Sequence, residues 1–87
     1  MIKIIALAVV DDAALDLGFS DGTVARWQAD EILARDTVMT RPLTGPDYFR
    51  RAFIEGGALA WPNGLEFSPE ALYRKLDAAG SLVRKAA

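Results

Sequence analysis

The side chains that most often carry chemistry in enzymes are scarce in this chain. Its 87 residues include no Cys and no His, which excludes disulfides, thiol nucleophiles, catalytic triads and the usual zinc sites. Apart from carboxylates, the candidates for acid–base chemistry are two lysines and two tyrosines, Lys3, Lys75, Tyr48 and Tyr73. Such groups need shifted pKa values inside a cleft, and nothing in their spacing brings them together. We therefore predict a protein that is not an enzyme and uses no cofactor.

Three aspartates near the N-terminus offer the oxygen ligands that Mg²⁺ prefers. Alternation along one strand would place Asp12 and Asp16 on the same face, close to Asp11, only if no turn separated them. A turn is expected between these residues, so we predict no metal site.

The most distinctive tetrapeptide is Trp61-Pro62-Asn63-Gly64. Asn-Gly favours a left-handed turn, proline restricts the approach to it, and tryptophan presents a large flat surface with one N–H donor. Such a turn could hold a ligand or peptide; alternatively, Trp61 caps the core while the turn links the last strand to the last helix. If the protein binds a partner, Trp61 and its turn are the predicted contact, with Trp27 as a second candidate, because aromatic anchors dominate interfaces.

The charge balance points away from nucleic acid. Twelve acidic residues against ten basic ones give a net charge of −2, whereas nucleic-acid binders usually present a basic face. The N-terminus carries one Lys and then an apolar run, but the run is short, β-branched and followed by Asp11-Asp12. We interpret it as a strand of a cytoplasmic bacterial protein, neither a cleaved leader nor a membrane segment.

The hydrophobic pattern predicts an α+β fold that begins with a three-stranded antiparallel meander. Residues 2–10 are rich in Ile and Val and suit a strand buried on both faces, inside a sheet. Apolar residues alternate over 15–19, and the return strand at 23–27 follows an Asp21-Gly22 turn.

A second hairpin is predicted over residues 53–61. Gly56-Gly57 supplies its turn, and Pro62 is expected to end the ladder because it has no amide hydrogen. Together with the meander, this hairpin makes a small antiparallel sheet.

Two or three short helices are expected to accompany the sheet. Residues 28–36 could form two turns, and Pro46 stands at a helix start. The strongest signal is Ser68-Pro69-Glu70, a capping hydroxyl followed by proline and an acid, with Gly80 as the stop. Residues 1–80 are therefore predicted to form a single domain, and 81–87 a flexible C-terminal tail.

Three segments, taken together, resemble the small bacterial family known as domain of unknown function (DUF) 2442. They are Phe19-Ser20-Asp21-Gly22-Thr23, Trp61-Pro62-Asn63-Gly64 and Ser68-Pro69-Glu70-Ala71-Leu72-Tyr73, with Phe49 between the first two. The resemblance implies a compact α+β domain with an antiparallel sheet and no catalytic residues. It also implies short stand-alone proteins, sometimes joined to a helix-turn-helix domain or encoded beside a second short protein in a toxin–antitoxin-like arrangement. Glu66 departs from the usual Asp but keeps the charge.

Two functions are compatible with these observations. The first is a non-catalytic interaction domain that binds another small protein or a second copy of itself, as the antitoxin-like or regulatory member of a bacterial gene pair. The alternative is a sensing or dimerisation module for a helix-turn-helix regulator. That regulator would have to act in trans, because this chain has no second domain. Neither function requires direct contact with nucleic acid or a membrane.

Overall fold

Two antiparallel sheets and three α-helices make up residues 1–84, the part of the chain that the computed structural model describes. The strands are β1 (Ile4–Asp11), β2 (Ala14–Phe19), β3 (Thr23–Gln28), β4 (Phe53–Glu55), β5 (Ala58–Ala60), β6 (Glu66–Phe67) and β7 (Val83–Arg84). The α-helices are α1 (Asp30–Leu33), α2 (Pro46–Phe49) and α3 (Pro69–Ala78), and a 3₁₀ helix spans Arg41–Thr44. The predicted α+β class is confirmed.

The first sheet has the strand order β1-β2-β3-β7 and contains the predicted meander. Leu15 and Leu17 of β2 lie opposite Trp27 and Ala25 of β3, and all four side chains are buried. Asp16, between the two leucines, is exposed on the other face. The period-two pattern of β2 and β3 therefore separates a core face from an outer face, as the sequence predicted.

The prediction that the first strand is buried inside a sheet is wrong. β1 lies at the sheet edge, where Ile5 and Val10 are 64% and 38% exposed. In a meander the first strand has only one neighbour unless another segment of the chain pairs with its free edge. Here little pairs with the free edge of β1. Ile4 donates its backbone N–H to the Gly57 carbonyl at 2.9 Å, so the turn of the second hairpin meets β1 near its start.

The second sheet has the order β4-β5-β6. Its first turn is the predicted one, with Gly56 and Gly57 at φ +58° and +87°, values that glycine tolerates. The β4–β5 ladder ends at Ala60, just before Trp61 and Pro62, as predicted, but the sheet goes on: Pro62 lies in a second hairpin loop, after which the unpredicted strand β6 pairs with β5. Proline is tolerated in that loop, since a loop residue owes no hydrogen bond to the ladder.

α3 begins and ends at the predicted signals. The Ser68 hydroxyl accepts a hydrogen bond from the Ala71 N–H at 3.3 Å and so caps the first turn. At the other end Gly80 adopts φ +71°, and the Ser81 N–H donates to the Leu76 carbonyl at 2.9 Å. This closure is the Schellman motif, in which glycine takes the left-handed position past the helix end.

The segment between the two sheets is less regular than α3. α1 covers four residues of the predicted 28–36, and the connector that follows contains the 3₁₀ helix Arg41–Thr44. Thr37 and Thr40 stabilise this connector by exchanging backbone-to-hydroxyl hydrogen bonds of 3.0 and 3.1 Å. Among residues 1–84, no helix combines the length and apolar character needed to cross a bilayer.

Part of the predicted tail takes part in the first sheet. Val83 and Arg84 of β7 pair with Val24 and Thr23 of β3. The Arg84 guanidinium also donates to the Asp21 backbone carbonyl at 3.0 Å, across the turn that precedes β3. The remainder of that predicted tail, residues 85–87, lies outside the described residues.

One aromatic cluster joins the two sheets and fills the centre of the core. Trp61 lies 6.2 Å from Trp27, 5.8 Å from Phe49 and 6.0 Å from Phe67, measured between ring centroids. Leu59 packs into the same core and is fully buried. Aromatic pairs at these spacings stabilise a fold beyond the area they bury.

The cap of α3 provides a test of how much its N-terminus contributes. Ser68→Ala should lower the free energy of unfolding by about 1 kcal/mol, because one amide of the first turn loses its partner. Ser68→Asp should retain most of the stability, since aspartate caps equally well. Urea denaturation of the three proteins measures this, and equal midpoints for wild type and Ser68→Ala would contradict it.

Candidate functional site

Trp61, the leading sequence candidate, is a core residue in the structure. Its side chain is 1% exposed, and its indole N–H donates to the Phe49 backbone carbonyl at 3.1 Å. Both the ring and the donor are therefore used inside the domain. In this conformation the Trp61 ring cannot contact a partner, and it anchors the end of α2 to the second sheet.

The rest of that tetrapeptide forms the loop between β5 and β6. The Gly64 N–H donates to the Trp61 carbonyl at 3.1 Å, and Gly64 adopts φ +91°. The Asn63 carboxamide acts in two directions: its oxygen accepts from the Leu65 N–H at 3.2 Å, and its nitrogen donates to the Met39 carbonyl at 3.0 Å. Asn63 therefore shapes the loop and ties it to the connector before α2.

The loop between β2 and β3 is built in the same way. The Gly22 N–H donates to the Phe19 carbonyl at 3.0 Å, Gly22 adopts φ +88°, and the Asp21 carboxylate accepts from the Thr23 N–H at 3.0 Å. The two loops share a four-residue pattern: a buried aromatic residue comes first, a polar side chain that bonds the backbone comes third, and a glycine in the left-handed region comes fourth. This is the three-residue hairpin loop with a bulge at its glycine.

Asp21 also ties its loop to a distant segment. The Tyr73 hydroxyl of α3 donates to the second carboxylate oxygen at 2.6 Å, and the Thr23 hydroxyl donates to the first at 2.7 Å. These donors lower the pKa of Asp21 from 3.8 to about 2, with the Tyr73 hydroxyl as the largest cause. The same bond raises the pKa of Tyr73 above 10.0. Asp21 thus joins the first hairpin to the last helix.

Trp27, the second sequence candidate, lines a groove at the surface. This Trp27 groove has a volume of about 380 Å³ and lies between β3, α1 and α3. Its floor is apolar and consists of Trp27, Ile32, Phe67, Leu72, Leu76 and Ala79. Most of these side chains belong to the core cluster, so the groove opens directly onto the core.

The rim of the Trp27 groove is charged and predominantly basic. Three cationic side chains line it, Arg26, Arg35 and Lys75, against one acid, Glu31. Arg26 is already paired with Asp16 of the outer face, so Arg35 and Lys75 against Glu31 set the charge of the rim. A single Glu31 oxygen serves two of these cations, at 3.2 Å from the Lys75 nitrogen and 3.8 Å from Arg35. Excess positive charge at one place on a chain of net charge −2 is a feature of the tertiary structure.

The Trp27 indole N–H is an unused donor among the described residues. It makes no hydrogen bond among the described residues, although the side chain is only 6% exposed. Every buried side-chain nitrogen or oxygen in that part of the chain has a partner, so this N–H reaches solvent. An apolar floor with one donor and a basic rim suits an apolar group that also carries hydrogen-bond acceptors.

A second depression, of about 650 Å³, covers the outer face of the first sheet. Small apolar residues form much of it, including Ala6, Ala8 and Gly18. Its charged groups, Asp16 and Arg26, pair with each other at 2.8 Å. Antiparallel sheets commonly leave one face to water, and no polar group converges on this one, so it offers less for recognition than the Trp27 groove.

The three N-terminal aspartates do not come together as a metal site. Asp16 pairs with Arg26 across the sheet, and Asp12 lies 3.7 Å from Arg50. Within the described residues, no group of three acidic side chains is close enough to hold a metal ion. Sequence reasoning placed Trp27 among the binding residues but missed the cations around it, because Arg35 and Lys75 lie 40 residues apart in the chain.

The chain belongs to the DUF2442 family of proteins of unknown function. The family model matches residues 4–78, which contain the loops at Asp21 and Asn63 and the whole of α3. The chain matches no curated protein and no solved structure.

Asn63 is expected to matter for stability, because both ends of its side chain bond to the backbone. Asn63→Ala should lower the free energy of unfolding by about 1–2 kcal/mol, since two hydrogen bonds are lost. Asn63→Asp should cost less, because it keeps the acceptor for Leu65 and loses only the donor to Met39. Urea denaturation separates the variants, and unchanged stability for Asn63→Ala would show that the loop holds its shape without this side chain.

Asp21 should make stability depend on acid pH. Because its folded pKa is depressed to about 2, its contribution is fully present above 3.8 and is lost as the pH falls towards 2. Asp21→Asn should therefore melt at a lower temperature than wild type at pH 7 and lose less stability between pH 4 and pH 2. Glu55→Gln, which removes an exposed carboxylate, is the matched control. Parallel melting curves for wild type and Asp21→Asn across this range would contradict the assignment.

Proposed function

We propose that the protein is a non-catalytic interaction domain that binds another protein at the Trp27 groove. The observation that supports this most directly is the apolar floor, which is continuous with the core and stays open between β3 and α3. A partner side chain placed there would pack against Phe67 and Ala79, which keep accessible surface, above the nearly buried Trp27, and so would bury apolar surface on both molecules. Apolar burial of this kind is the main favourable term in association.

The groove has the composition expected of the centre of a small interface. An aromatic anchor lies at its base, and the polar groups stand at the rim, where they remain in contact with water. Interface energy is concentrated at aromatic and Arg residues, and the groove contains two of each: Trp27 and Phe67, and Arg26 and Arg35. A catalytic role would instead call for clustered titratable groups with shifted pKa values.

The biological setting we propose is a pair of small proteins, of which this one is the antitoxin-like or regulatory member. The support is the resemblance of the chain to its family, together with its small size and its lack of Cys and His. A helix-turn-helix regulator that receives this domain in trans would use the same groove, so recovery of the partner distinguishes the two settings.

Two neighbouring alanines at the end of α3 allow a matched test. Ala79 lines the groove and is exposed, whereas Ala78 is exposed but does not line it. Ala79→Tyr should reduce recovery of a stoichiometric partner from the native host by about tenfold, because the new ring occupies the groove. Ala78→Tyr should recover it as wild type does. Circular dichroism and thermal melting of the purified proteins show whether both variants remain folded, and light scattering reports any self-association.

Two results would contradict the proposal. One is equal recovery of the partner by Ala79→Tyr and wild type, which would place the contact elsewhere. The other is a wild-type protein that stays strictly monomeric and recovers no partner.

A further inference from the structure

We infer that the segment entering the Trp27 groove is acidic and apolar, with carboxylates flanking a large aliphatic or aromatic side chain. This rests on the proposed function and adds the chemical class of the partner. The apolar side chain would occupy the floor, and the flanking carboxylates would meet the cations of the rim.

The rim has unused capacity for acceptors. Glu31 is the single acid of the groove, and one of its oxygens faces both Lys75 and Arg35. A lysine ammonium has three donors and a guanidinium has five, so one carboxylate leaves most of these donors to water. These side chains are more than half exposed, and they can turn towards an incoming carboxylate without leaving a buried charge behind.

Trp27, one of the floor residues, also carries a hydrogen-bond donor, its indole N–H. The Trp27 N–H has no partner among the described residues, and a backbone carbonyl or a carboxylate of the incoming segment would satisfy it. A basic segment would offer no such acceptor from its side chains and would meet like charges at the rim.

Other occupants fit the charges less well. A groove-to-groove contact with a second copy would bring two rims of the same charge together, each with two cations, Arg35 and Lys75, against the single acid Glu31, which is less favourable than contact with an acidic segment. A free inorganic anion would use the rim but leave the apolar floor in water.

Three peptides of one length test the chemistry on the full chain. The first is acetyl-Ser-Glu-Asp-Leu-Phe-Glu-Asp-Ser-amide, the second replaces its four acids with Lys, and the third replaces Leu and Phe with Ser. The readout is the indole N–H resonance of Trp27 in ¹⁵N-labelled protein, which Trp27→Phe assigns, with the buried Trp61 indole as an internal control. The acidic apolar peptide should shift the Trp27 resonance at concentrations about tenfold lower than the Lys-substituted or the Ser-substituted peptide requires.

Charge-reversal variants then locate the contact. Arg35→Glu and Lys75→Glu should each weaken the acidic peptide severalfold, and added salt should weaken it in wild type. Arg74→Glu is the control for Lys75→Glu: it makes the same change of charge on α3 at an exposed residue that does not line the groove, and it should leave binding unchanged.

Each remaining outcome overturns the inference. Equal or tighter binding of the Lys peptide would show that the rim does not select acids. A peptide that shifts the indole N–H resonance of Trp61 and not that of Trp27 would place the binding site elsewhere. If Ala79→Tyr abolishes partner recovery while the acidic peptide fails to bind, the interaction function stands and the acidic character is wrong. A dimer of wild type that Ala79→Tyr dissociates would identify a second copy as the occupant.

Discussion

The buried indole of Trp61 is the contact on which the rest of the structure depends. Its ring touches aromatic residues from both sheets and from α2, and its N–H bonds to the Phe49 carbonyl, so one side chain fixes three elements. In a domain this small, few residues are fully enclosed, and a large aromatic residue removes more surface from water than any aliphatic one. The sheets share one core because this ring lies between them.

Two hairpin loops with the same hydrogen-bonding pattern, those at Asp21 and Asn63, lie at the ends of that core. Asp21 and Asn63 each accept a hydrogen bond from the amide two residues ahead, and each uses its second polar atom to bond a segment far away in the chain. A short polar side chain is suited to this because it can close its own loop while its other end remains free to reach outwards. The loops therefore act as tertiary contacts as well as turns.

The Trp27 groove follows from where the helices stop. α1 is four residues long and α3 ends at Ala78. β7 pairs with only the first two residues of β3, and neither helix covers the space beside the rest of that strand. The core apolar residues reach the surface there, and charged side chains from both helices surround them. An uncovered part of a core with charged side chains on one side of it is the surface at which we propose binding.

Much of the fold could be predicted from local patterns, because turn and cap residues act over short distances. The Asp21-Gly22 and Gly56-Gly57 turns, the strands beside them and both ends of α3 follow from residue types within a few positions. Which strand lies at an edge could not be predicted, since Ile- and Val-rich segments look alike at an edge and in the centre. For the same reason the sequence alone singled out both tryptophans, and only the tertiary structure enclosed Trp61 and left Trp27 beside an open groove. Burial and long-range charge placement depend on contacts between segments distant in the chain, and a local pattern does not contain them.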